Sequence, residues 1–449
     1  MRRILLVGSG AREDAIAHAL VRDADVRLFA AMSSTNPGIT RIAEDARAMR
    51  ITDPSTVSDY AEHMNVEAAV IGPEAPLVSG VADALTDRGI GCVGPTRTLA
   101  AIEGDKAFCR TLLSRHKIPG NPMFQIFSDV VSAERYLRSS GPVAIKPIGL
   151  TGGKGVKVTG EDLPSKQAEL DYARQVFKNK IGGEGLLIEE KLEGEEYTLQ
   201  AFVDGTDITV MPLVQDHKRA FENDAGPNTG GMGSYSCSNH SLPFVSQRDL
   251  DESSRIMSET VNALPHDLGR EYKGILYGQF MLAKAENEDK PSPKLIEFNC
   301  RFGDPEAMNV LSVLDTGLME VCDHIIDGSL RPMQIVFQEQ ATVCKYLVPQ
   351  GYPVTPMKGE AITVDEDAIA KLGGSIFYAN VDVKNSEILT GSSRTVAVLG
   401  VSETVEEAEK VAEAATQHVK GPLMHRSDIG TSRLIAKRIQ HVKSLERVS

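Results

Sequence analysis

The sequence predicts an α/β protein of about three domains, with a parallel sheet at its N-terminus. A chain of 449 residues is long enough for about three cores. Up to about residue 102, short apolar runs alternate with helical patterns, which is typical of a parallel sheet with helices on its faces. A second unit contains a glycine-rich loop, and a third, smaller α/β unit follows. The expected domains are therefore 1–102, 103–330 and 331–449.

The elements of the first unit place three unusual loops at the carboxyl ends of predicted strands, where open α/β sheets bind ligands. Strands are predicted over Ile4–Val7, Asp25–Phe29, Glu67–Ile71 and Ile90–Val93, and helices over Arg12–Val21 and Leu77–Arg88. The loops are Gly8–Glu13, Asn36–Gly38 and Gly72–Leu77.

The first of these loops resembles a dinucleotide fingerprint, but Glu13 stands where the third glycine belongs. A helix N-terminus preceded by Gly8 and Gly10 still suits a phosphate group. This favours a phosphorylated sugar over NAD as the ligand. The alternative is a tight turn that binds nothing.

The central motif of the chain is a short apolar run that ends in Lys146 and continues into a glycine-rich loop. Residues 143–156 read VAIKPIGLTGGKGV, with Lys154 among the glycines Gly149, Gly152, Gly153 and Gly155. Because glycines let backbone N–H groups face an anion, these amides and two lysines predict a phosphate cradle. The loop is not a Walker A motif, since Ile148 replaces its first glycine and Gly155 replaces its Ser or Thr. The alternative is a glycine-rich hairpin without a ligand.

Further along, the pattern predicts an exposed helix, a long functional loop and the C-terminal unit. The helix near Ser165–Phe177 is polar, and we expect only solvent around it. Val214–Tyr235 is polar and glycine-rich, and loops of that length are usually functional or disordered; its binding-type side chains favour function. Later strands are predicted over Tyr272–Ala283, Lys294–Phe298, Thr342–Leu347 and Thr395–Leu399, and helices from Pro305 and over Val405–His418.

Composition argues against several classes of protein. The formal net charge of −14 argues against nucleic acid as a partner. No apolar run approaches about 18 residues, so we expect no membrane span. The six cysteines show no CxxC pair, which indicates reduced thiols, a cytoplasmic protein and no catalytic cysteine.

Glu297 and Asn299 predict a divalent metal site. On a strand, residues i and i+2 point to one face about 6–7 Å apart, so both side-chain oxygens can reach Mg²⁺. Gln279, on the preceding predicted strand, supplies another oxygen. Arg301 shares the face if the strand continues, and its guanidinium suits charge on a transferring phosphoryl group. The alternative is a surface ion pair between Glu297 and Arg301.

Together these features predict a nucleotide site and carry a resemblance to a known family. Lys106 and Lys146 would hold phosphates, Glu196 a ribose hydroxyl, and the backbone of Glu189–Leu192 would border adenine. The arrangement resembles that of ATP-grasp ligases and, more narrowly, the phosphoribosylamine–glycine ligase family, over essentially the whole chain. The shared motifs are GSGARE, NPG, GPEAPL, GPT, KPIGLTGGKGV, IEEKLEGEE, QDHKRAFENDAGPNTGGMGSY, IEFNCRFGDPE and HRSDIG.

The resemblance implies a pre-ATP-grasp domain at 1–102, a two-part α+β ATP-grasp domain at 103–330 with a lid at about 123–195, and a small C-terminal domain. It also implies that ATP phosphorylates glycine and that the amine of 5-phosphoribosylamine attacks the acyl phosphate, giving glycinamide ribonucleotide, ADP and phosphate. No enzyme nucleophile is needed for this chemistry. The implied cofactors are ATP with Mg²⁺ or Mn²⁺, and the expected assembly is a monomer or weak homodimer.

The resemblance assigns roles to residues at the matching positions. The catalytic group is Lys146, Asp216, Lys218 and Arg301. The nucleotide group is Lys106, Lys146, Gly152, Gly153, Lys154, Glu189, Glu190, Leu192 and Glu196. The substrate group is Gly8, Ser9, Gly10, Asn36, Gly38, Glu74, Asp216, His217, Asn228 and Thr229, and the metal group is Gln279, Glu297 and Asn299.

A few positions depart from the family pattern. Asp14 stands where the family usually has His, which leaves the details of sugar recognition open. Lys191 replaces a usual Phe beside the expected adenine. Pro147-Ile148 and Gly278–Phe280 also differ from the common residues, but no group that the chemistry requires is missing.

Three other interpretations stay open at this point. A biotin carboxylase relative would share the nucleotide and metal residues but lack the loop QDHKR…GPNTGGMG. An NAD-dependent oxidoreductase needs the third glycine and an acidic residue after the second strand, where the sequence has Ala30-Ala31. A nucleotide-binding regulatory protein without turnover is disfavoured by the intact Lys146, Glu297, Asn299 and Arg301.

Overall fold

Residues 2–104 form a parallel sheet with helices packed against it. The computed structural model describes residues 1–152, 155–284, 290–331 and 333–446. In chain order the elements of this unit are β1 Arg2–Val7, α1 Ala11–Leu20, β2 Val26–Met32, α2 Pro37–Ile42, β3 Asp45–Ala48, α3 Pro54–His63, β4 Ala68–Ile71, α4 Glu74–Ser79, α5 Val81–Thr86, β5 Gly91–Val93 and α6 Ala101–Gly104. The strand order is β3-β2-β1-β4-β5 with every pair parallel, as in doubly wound sheets. The predicted parallel sheet is confirmed.

Two details of this unit differ from the sequence prediction. The predicted helix Leu77–Arg88 is divided, because Gly80 has a left-handed φ of +90° that ends α4. Strand β3 escaped prediction because it is a short edge strand whose residues are only partly buried or exposed.

The second unit begins with a small antiparallel sheet that has its own core. Its elements are α7 Lys106–Arg115, β6 Phe124–Phe127, α8 Val130–Ser139, β7 Val143–Pro147, β8 Lys157–Val158, α9 Lys166–Asn179 and β9 Leu186–Glu190. The strand order is β6-β9-β7-β8. The expectation of a fully solvated helix near Ser165–Phe177 is wrong, because α9 buries Leu170, Tyr172 and Val176 in this core.

A second antiparallel sheet, ordered β11-β10-β16-β17, follows along the chain. This part contains β10 Gly194–Gly205, β11 Ile208–Val210, β12 Gln215–Asp216, β13 Arg219–Phe221, β14 Ala225–Asn228, β15 Gly233–Ser236, α10 Gln247–Leu268, β16 Tyr272–Ala283, β17 Ser292–Asn299, α11 Glu306–Ser312 and α12 Leu318–Asp327. A 3-10 helix at Glu222–Asp224 joins β13 to β14.

The C-terminal unit is built around the long buried strand β18. Its elements are β18 Ala341–Pro349, β19 Ala361–Val364, α13 Glu366–Lys371, β20 Gly374–Tyr378, β21 Val381–Lys384, β22 Glu387–Thr390, β23 Val396–Ser402, α14 Val405–Thr416, β24 Val419–Lys420, β25 Leu423–Met424 and α15 Ser432–Glu446. The main sheet runs β12-β15-β18-β23-β20, with β25 also paired to β18.

This sheet takes strands from both sides of the boundary expected at residue 330. The prediction that Val214–Tyr235 is only a loop is wrong: β12 pairs with β15, and β15 pairs with β18. A polar, glycine-rich segment can form strands here because the buried neighbour β18 supplies the hydrogen bonds and the apolar contacts.

In the part of the chain that the structure describes, no helix combines the length and the apolar character needed to cross a bilayer.

Gly400 tests the packing of the C-terminal sheet. A methyl group there would overlap the carbonyl oxygen of Ala408 and lie 2.8 Å from the backbone nitrogen of Ala412, because α14 lies directly on β23. We expect Gly400→Ala to destabilise the protein by about 1–3 kcal/mol, as overpacked cores do. Gly141→Ala is the matched control, since no atom lies within 4 Å of its added methyl group. Thermal unfolding of both variants can be measured by circular dichroism, and equal thermal midpoints would contradict this packing.

Candidate functional site

The lid strand β7 meets the sheet strand β17 at Lys146. Lys146 Nζ donates to the carbonyl oxygen of Ile296 at 3.2 Å and pairs with Glu189 Oε2 at 2.7 Å. The lysine side chain is buried. The structure therefore joins the two groups expected to grip a nucleotide and a metal, since Ile296 directly precedes Glu297.

Glu189 lies between two cations in the floor of this junction. Arg110 Nε donates to Glu189 Oε1 at 2.6 Å, and Arg110 Nη2 donates to the Ile296 carbonyl at 2.8 Å. Burial alone would raise the pKa of Glu189, but Arg110 and Lys146 outweigh it and hold the pKa below its usual value. The Glu189 carboxylate is thus occupied by Arg110 and Lys146. Its side chain orients Lys146, and any contact with nucleotide falls to the backbone.

The glycine-rich loop is anchored at both ends. Lys106 Nζ donates to the carbonyl oxygen of Gly149 at 2.9 Å, and the Tyr172 hydroxyl donates to the carbonyl oxygen of Gly155 at 2.6 Å. Burial lowers the pKa of Lys106; Glu297 opposes this effect and Lys146 adds to it. Gly152 has a left-handed φ of +59°. The predicted nucleotide ligands Gly153 and Lys154 lie outside the described residues.

The hinge between β9 and β10 contains the other predicted nucleotide ligands. Glu190 Oε1 accepts from the Met123 backbone N–H at 2.8 Å, and Leu192 is partly buried in the hinge. Glu196 Oε2 lies 3.3 Å from Lys218 Nζ and also accepts from the Gln279 amide. Lys191 turns back into the lid, where its Nζ donates to the Thr159 carbonyl oxygen at 3.0 Å.

Gln279 and Glu297 face each other across β16 and β17. They are register partners, so their side chains share one face of the sheet, and Thr198 on β10 is the next residue in the same row. Burial would raise the pKa of Glu297, yet Lys218, Lys146, Lys106 and Arg301 lower it overall. Four cations therefore converge on one ionised carboxylate.

The same row fits a hard divalent cation. Among the described residues, no three His, Cys, Asp or Glu side chains form a cluster that could hold a metal unaided. Mg²⁺ is instead commonly held by one or two carboxylates together with substrate phosphates and waters. Glu297 supplies the ionised oxygen and Asn299 an amide oxygen; Gln279 presents its amide nitrogen to Glu196, which leaves its own oxygen for a ligand.

Arg301 connects this row to the N-terminal unit. Its Nη2 donates to Glu103 Oε1 at 3.0 Å and to Asn299 Oδ1 at 3.1 Å, and its Nε lies 3.5 Å from Glu74 Oε2. Burial opposes the charge of Arg301, but Glu103 and Glu74 raise its pKa overall. Glu74 shows the converse: burial would raise its pKa, but Arg301 and Arg12 lower it.

Alternate residues of the segment 216–218 point to different sides. Burial and the neighbouring Glu306 raise the pKa of Asp216 well above its usual value, while Lys218 and Arg394 oppose this effect. Burial would lower the pKa of Lys218, but Glu196, Glu297 and Asp216 raise it overall. Asp216 and Lys218 therefore lie among the charged groups around Glu196 and Glu297, a region called the cleft below.

His217 was expected to line the substrate, and its side chain is buried beside Tyr235. Burial, followed by Arg438 and Arg426, lowers the pKa of His217 to about 3. The ring packs 6.0 Å from the Tyr235 ring, and neither ring nitrogen has a hydrogen-bond partner among the described residues. Because neighbouring residues of an extended chain point to opposite sides, His217 faces the C-terminal helix while Asp216 and Lys218 face the cleft.

Asn228 and Thr229 lie in the returning strand and its turn. Arg219 pairs with Asn228, which is partly buried. The Thr229 hydroxyl donates to the Lys218 carbonyl oxygen at 2.8 Å and accepts from the Gly231 N–H at 3.1 Å. Thr229 therefore fixes the turn beside Lys218, and its hydroxyl is already used within the chain.

In the first N-terminal loop, a side chain of the following helix α1 contacts the backbone where a ligand was expected. Glu13 Oε2 accepts from the Gly10 N–H at 2.6 Å, and a methyl group on Gly8 would lie 2.5 Å from Glu13 Cγ. Ser9 shares a hydrogen bond of 2.8 Å with Ser33. Of the Gly8–Gly10 amides that were expected to face a phosphate, the Gly10 N–H is therefore already bonded to a carboxylate of the chain.

The second N-terminal loop also has structural partners. Asn36 Oδ1 accepts from the N–H groups of Gly38 and Ile39, and Asn36 Nδ2 donates to the carbonyl oxygens of Ser9 and Tyr378. The Asn36 amide thus caps α2, and the expected substrate contact has no free group on this side chain.

Asp14, the departure from the family pattern, explains the small residue at Gly38. Its Oδ2 accepts from the Tyr378 N–H at 2.8 Å, and a methyl group on Gly38 would overlap this carboxylate. His18 Nδ1 lies 3.2 Å from Asp14 Oδ1. Burial raises the pKa of Asp14 despite His18. Asp14 therefore joins α1 to β20 of the C-terminal unit.

Several residues of the site carried no sequence signal. Glu103 holds Arg301 and also accepts from the Cys300 N–H at 2.7 Å, and Arg110 holds Glu189. Arg394 of the C-terminal unit reaches the turn at Gly230. All three come from segments remote in sequence from their partners. Only the HRSDIG motif pointed to the C-terminal unit: its Arg426 and Asp428 pair with each other, and Arg426 pairs with Asp224.

Comparisons with known proteins agree with this geometry. Three family models match: Phosphoribosylglycinamide synthetase N domain over 2–103, the ATP-grasp (A) domain over 104–307 and the C domain over 342–432. The chain is 49% identical to a protein named phosphoribosylamine–glycine ligase from Methanocaldococcus jannaschii, covering 99% of this chain and 100% of the relative. It is 48% identical to one of the same name from Pyrococcus furiosus, covering 99% and 98%.

Two solved structures have a similar fold. The crystal structure of phosphoribosylamine–glycine ligase from Thermotoga maritima gives a TM-score of 0.79 at 26% identity, covering 95% of this chain and 99% of that one. The biotin carboxylase domain of 2-oxoglutarate carboxylase from Hydrogenobacter thermophilus gives 0.72 at 15% identity, covering 98% and 94%. That structure contains ADP with magnesium and bicarbonate, and its likeness shows the fold alone.

The buried trio of Arg110, Glu189 and Lys146 predicts a loss of stability in Glu189→Gln. Removing the carboxylate leaves two buried cations uncompensated, which costs about 3–5 kcal/mol. Glu184→Gln is the control in the same unit, since Glu184 is exposed and pairs with exposed Lys180; its thermal midpoint should stay close to that of the wild type. Thermal unfolding at pH 7 measures both.

The pH dependence of the stability lost in Glu189→Gln should reflect the direction of the pKa shift of Glu189. Because the folded pKa of Glu189 is lowered, its contribution is complete above the unfolded pKa of about 4.3 and is lost as the pH falls further. The stability gap between wild type and Glu189→Gln should therefore be constant above about pH 5.5 and narrow below about pH 4.3. A gap that widens on acidification would contradict the ion pairs.

Proposed function

Because the chain belongs to the phosphoribosylglycinamide synthetase (phosphoribosylamine–glycine ligase) family, we propose that it ligates glycine to 5-phosphoribosylamine through a glycyl phosphate intermediate. The protein is an ATP-dependent ligase of the ATP-grasp type, an enzyme of purine biosynthesis. The observation that carries the proposal is that Lys146 Nζ bonds to the carbonyl oxygen of Ile296, next to Glu297, whose pKa Lys218, Lys146, Lys106 and Arg301 together lower.

This convergence suits the transfer of a phosphoryl group from ATP. Lys106, which bonds to the Gly149 carbonyl oxygen, and Lys146 would neutralise phosphate oxygens, and Lys218 would neutralise the acceptor carboxylate. Glu297 and Asn299, with Gln279, would hold Mg²⁺ or Mn²⁺, which screens the phosphate charges when bound. The hinge backbone at Glu189–Leu192 would border adenine, and Glu196 would bind the ribose.

The reaction then needs no covalent group from the protein. A carboxylate oxygen of glycine attacks the γ-phosphorus of ATP, and ADP leaves. The amine of 5-phosphoribosylamine attacks the carbonyl carbon of glycyl phosphate, phosphate leaves, and the amine gives up a proton. Arg301 would stabilise the oxyanion of this second step, and Asp216 would hold the glycine ammonium or accept a proton.

We place 5-phosphoribosylamine between the N-terminal sheet and Arg301. Glu74 supports this placement, because it lies at the carboxyl end of β4 and reaches Arg301 at 3.5 Å. Ser9, Gly8 and Gly38 would contact the sugar mainly through backbone groups, since the Asn36 side chain and the Gly10 N–H are already bonded within the chain. Six unpaired cysteines suit a reducing compartment, and we propose the cytoplasm.

The rival interpretations fit less well. An oxidoreductase would need the pyrophosphate to occupy the helix N-terminus at Gly10, where the Glu13 carboxylate lies and would repel it. A biotin carboxylase activity has no support in the likeness at 15% identity, which shows the fold alone.

ADP release tests the function directly. With glycine, freshly made 5-phosphoribosylamine, ATP and Mg²⁺, the wild type should release ADP only when glycine is present. Glu297→Ala should lose at least about 100-fold in kcat while staying folded, because a ligand of the cation that would screen the phosphates is removed. Glu387→Ala, an exposed residue of β22, is the control and should match the wild type. Absence of glycine-dependent turnover in the wild type would refute the proposed ligation.

Metal removal tests the cation site separately. Dialysis against EDTA should abolish turnover, and either Mg²⁺ or Mn²⁺ should restore it. Asn299→Ala should raise the metal concentration needed for half-maximal rate more than it changes the KM for glycine. Full activity in EDTA would refute the assignment of Gln279, Glu297 and Asn299.

A further inference from the structure

Arg394, just before β23 of the C-terminal unit, reaches across to the turn that follows β14. Its Nη1 donates to the carbonyl oxygens of Gly230 at 2.6 Å, Gly231 at 3.0 Å and Asp304 at 3.0 Å. Its Nη2 donates to the Asp304 carboxylate at 2.8 Å. One guanidinium thus holds two separate segments, the turn at Gly230-Gly231 and the start of α11.

The arginine is itself fixed on its other side. Its side chain is only 14% exposed, and the guanidinium carbon lies 4.4 Å from the centre of the Tyr346 ring. The Tyr346 hydroxyl donates to the same Asp304 carboxylate. A guanidinium held by stacking, a carboxylate and three carbonyls has little freedom to reorient, so it transmits the position of β18 and β23 to the turn.

Gly231 connects Arg394 to the cleft. Its carbonyl oxygen faces Arg394, whereas a Cβ on Gly231 would lie 2.6 Å from Asp216 Oδ1. Its N–H donates to Thr229, whose hydroxyl in turn holds the carbonyl oxygen of Lys218. The peptide at Gly231 therefore packs between Arg394 and the two cleft residues, Asp216 and Lys218.

We propose that Arg394 is a positioning residue for the glycine-binding segment, acting through Gly230-Gly231 on Asp216 and Lys218. The C-terminal unit thereby takes part in substrate binding without touching the substrate. This inference rests on the proposed function, because it assumes that Asp216 and Lys218 hold glycine.

Kinetics of Arg394→Ala test the inference. Misplacing the turn should raise the KM for glycine at least about tenfold, while the KM for ATP stays within about twofold. Lys106 and Lys146, which are expected to bind ATP, lie on other elements. The KM for ATP should therefore change much less than the KM for glycine. Arg394→Lys keeps a cation with three N–H donors and should recover at least half of the lost glycine affinity. If Arg394→Ala does not fold, Arg394→Gln carries the test, since its amide keeps a donor for the carbonyls.

Arg22→Ala is the matched control. Arg22 also donates to two backbone carbonyl oxygens of a remote segment, those of Leu311 and Leu314, but contacts no part of the turn. The Arg22→Ala variant should show at most a lower thermal midpoint, and its KM for glycine should be unchanged. The inference is overturned if folded Arg394 variants keep the wild-type KM for glycine, or if Arg22→Ala raises that KM equally. A wild type without glycine-dependent ADP release would instead refute the proposed function itself.

Discussion

The contact on which the arrangement of the site depends is the buried ion pair of Lys146 with Glu189. It holds a lysine at the tip of a lid strand against the carbonyl oxygen of Ile296, in a different sheet. A buried lysine is costly unless it is paired, and Glu189 and Arg110 together meet that requirement. The buried apolar residues of the lid form a small core of their own, and polar contacts such as this ion pair join the lid to the body of the protein. Charge pairing therefore decides how the lid meets the sheet that contains Glu297.

The positive charges of the site are balanced within the protein, although the chain as a whole is strongly acidic. Glu297, Glu189, Glu103 and Glu74 each lie beside a buried or half-buried lysine or arginine. This arrangement orients the cations before any ligand is bound. Preorganised charges cost no reorientation during a reaction, which is how such a site favours phosphoryl transfer.

The C-terminal unit is part of the site because it shares a sheet with the segment that contains Asp216. Strand β15 pairs with β18, and Arg394 anchors the turn at Gly230-Gly231, which lies just before β15. The helix α15 adds a second anchor from the other side, where Arg438 pairs with Asp224 and with Glu195. His217 lies on that side, which explains why its neighbours and not His217 face the cleft.

The sequence by itself determined the parallel N-terminal sheet, the glycine-rich loop after Lys146 and the family, because these depend on local periodicity and on contiguous motifs. The row of Gln279 and Glu297 could also be predicted from the sequence, since these residues lie on predicted neighbouring strands and were assigned to one metal site. Only the tertiary structure decided which expected ligands have free groups. Asn36, Gly10 and Thr229 matched the motif, but their hydrogen-bonding groups are taken by Tyr378, Glu13 and Lys218. Arg110, Glu103 and Arg394 act on partners about 80 to 200 residues away, and no local pattern encodes a contact over that separation.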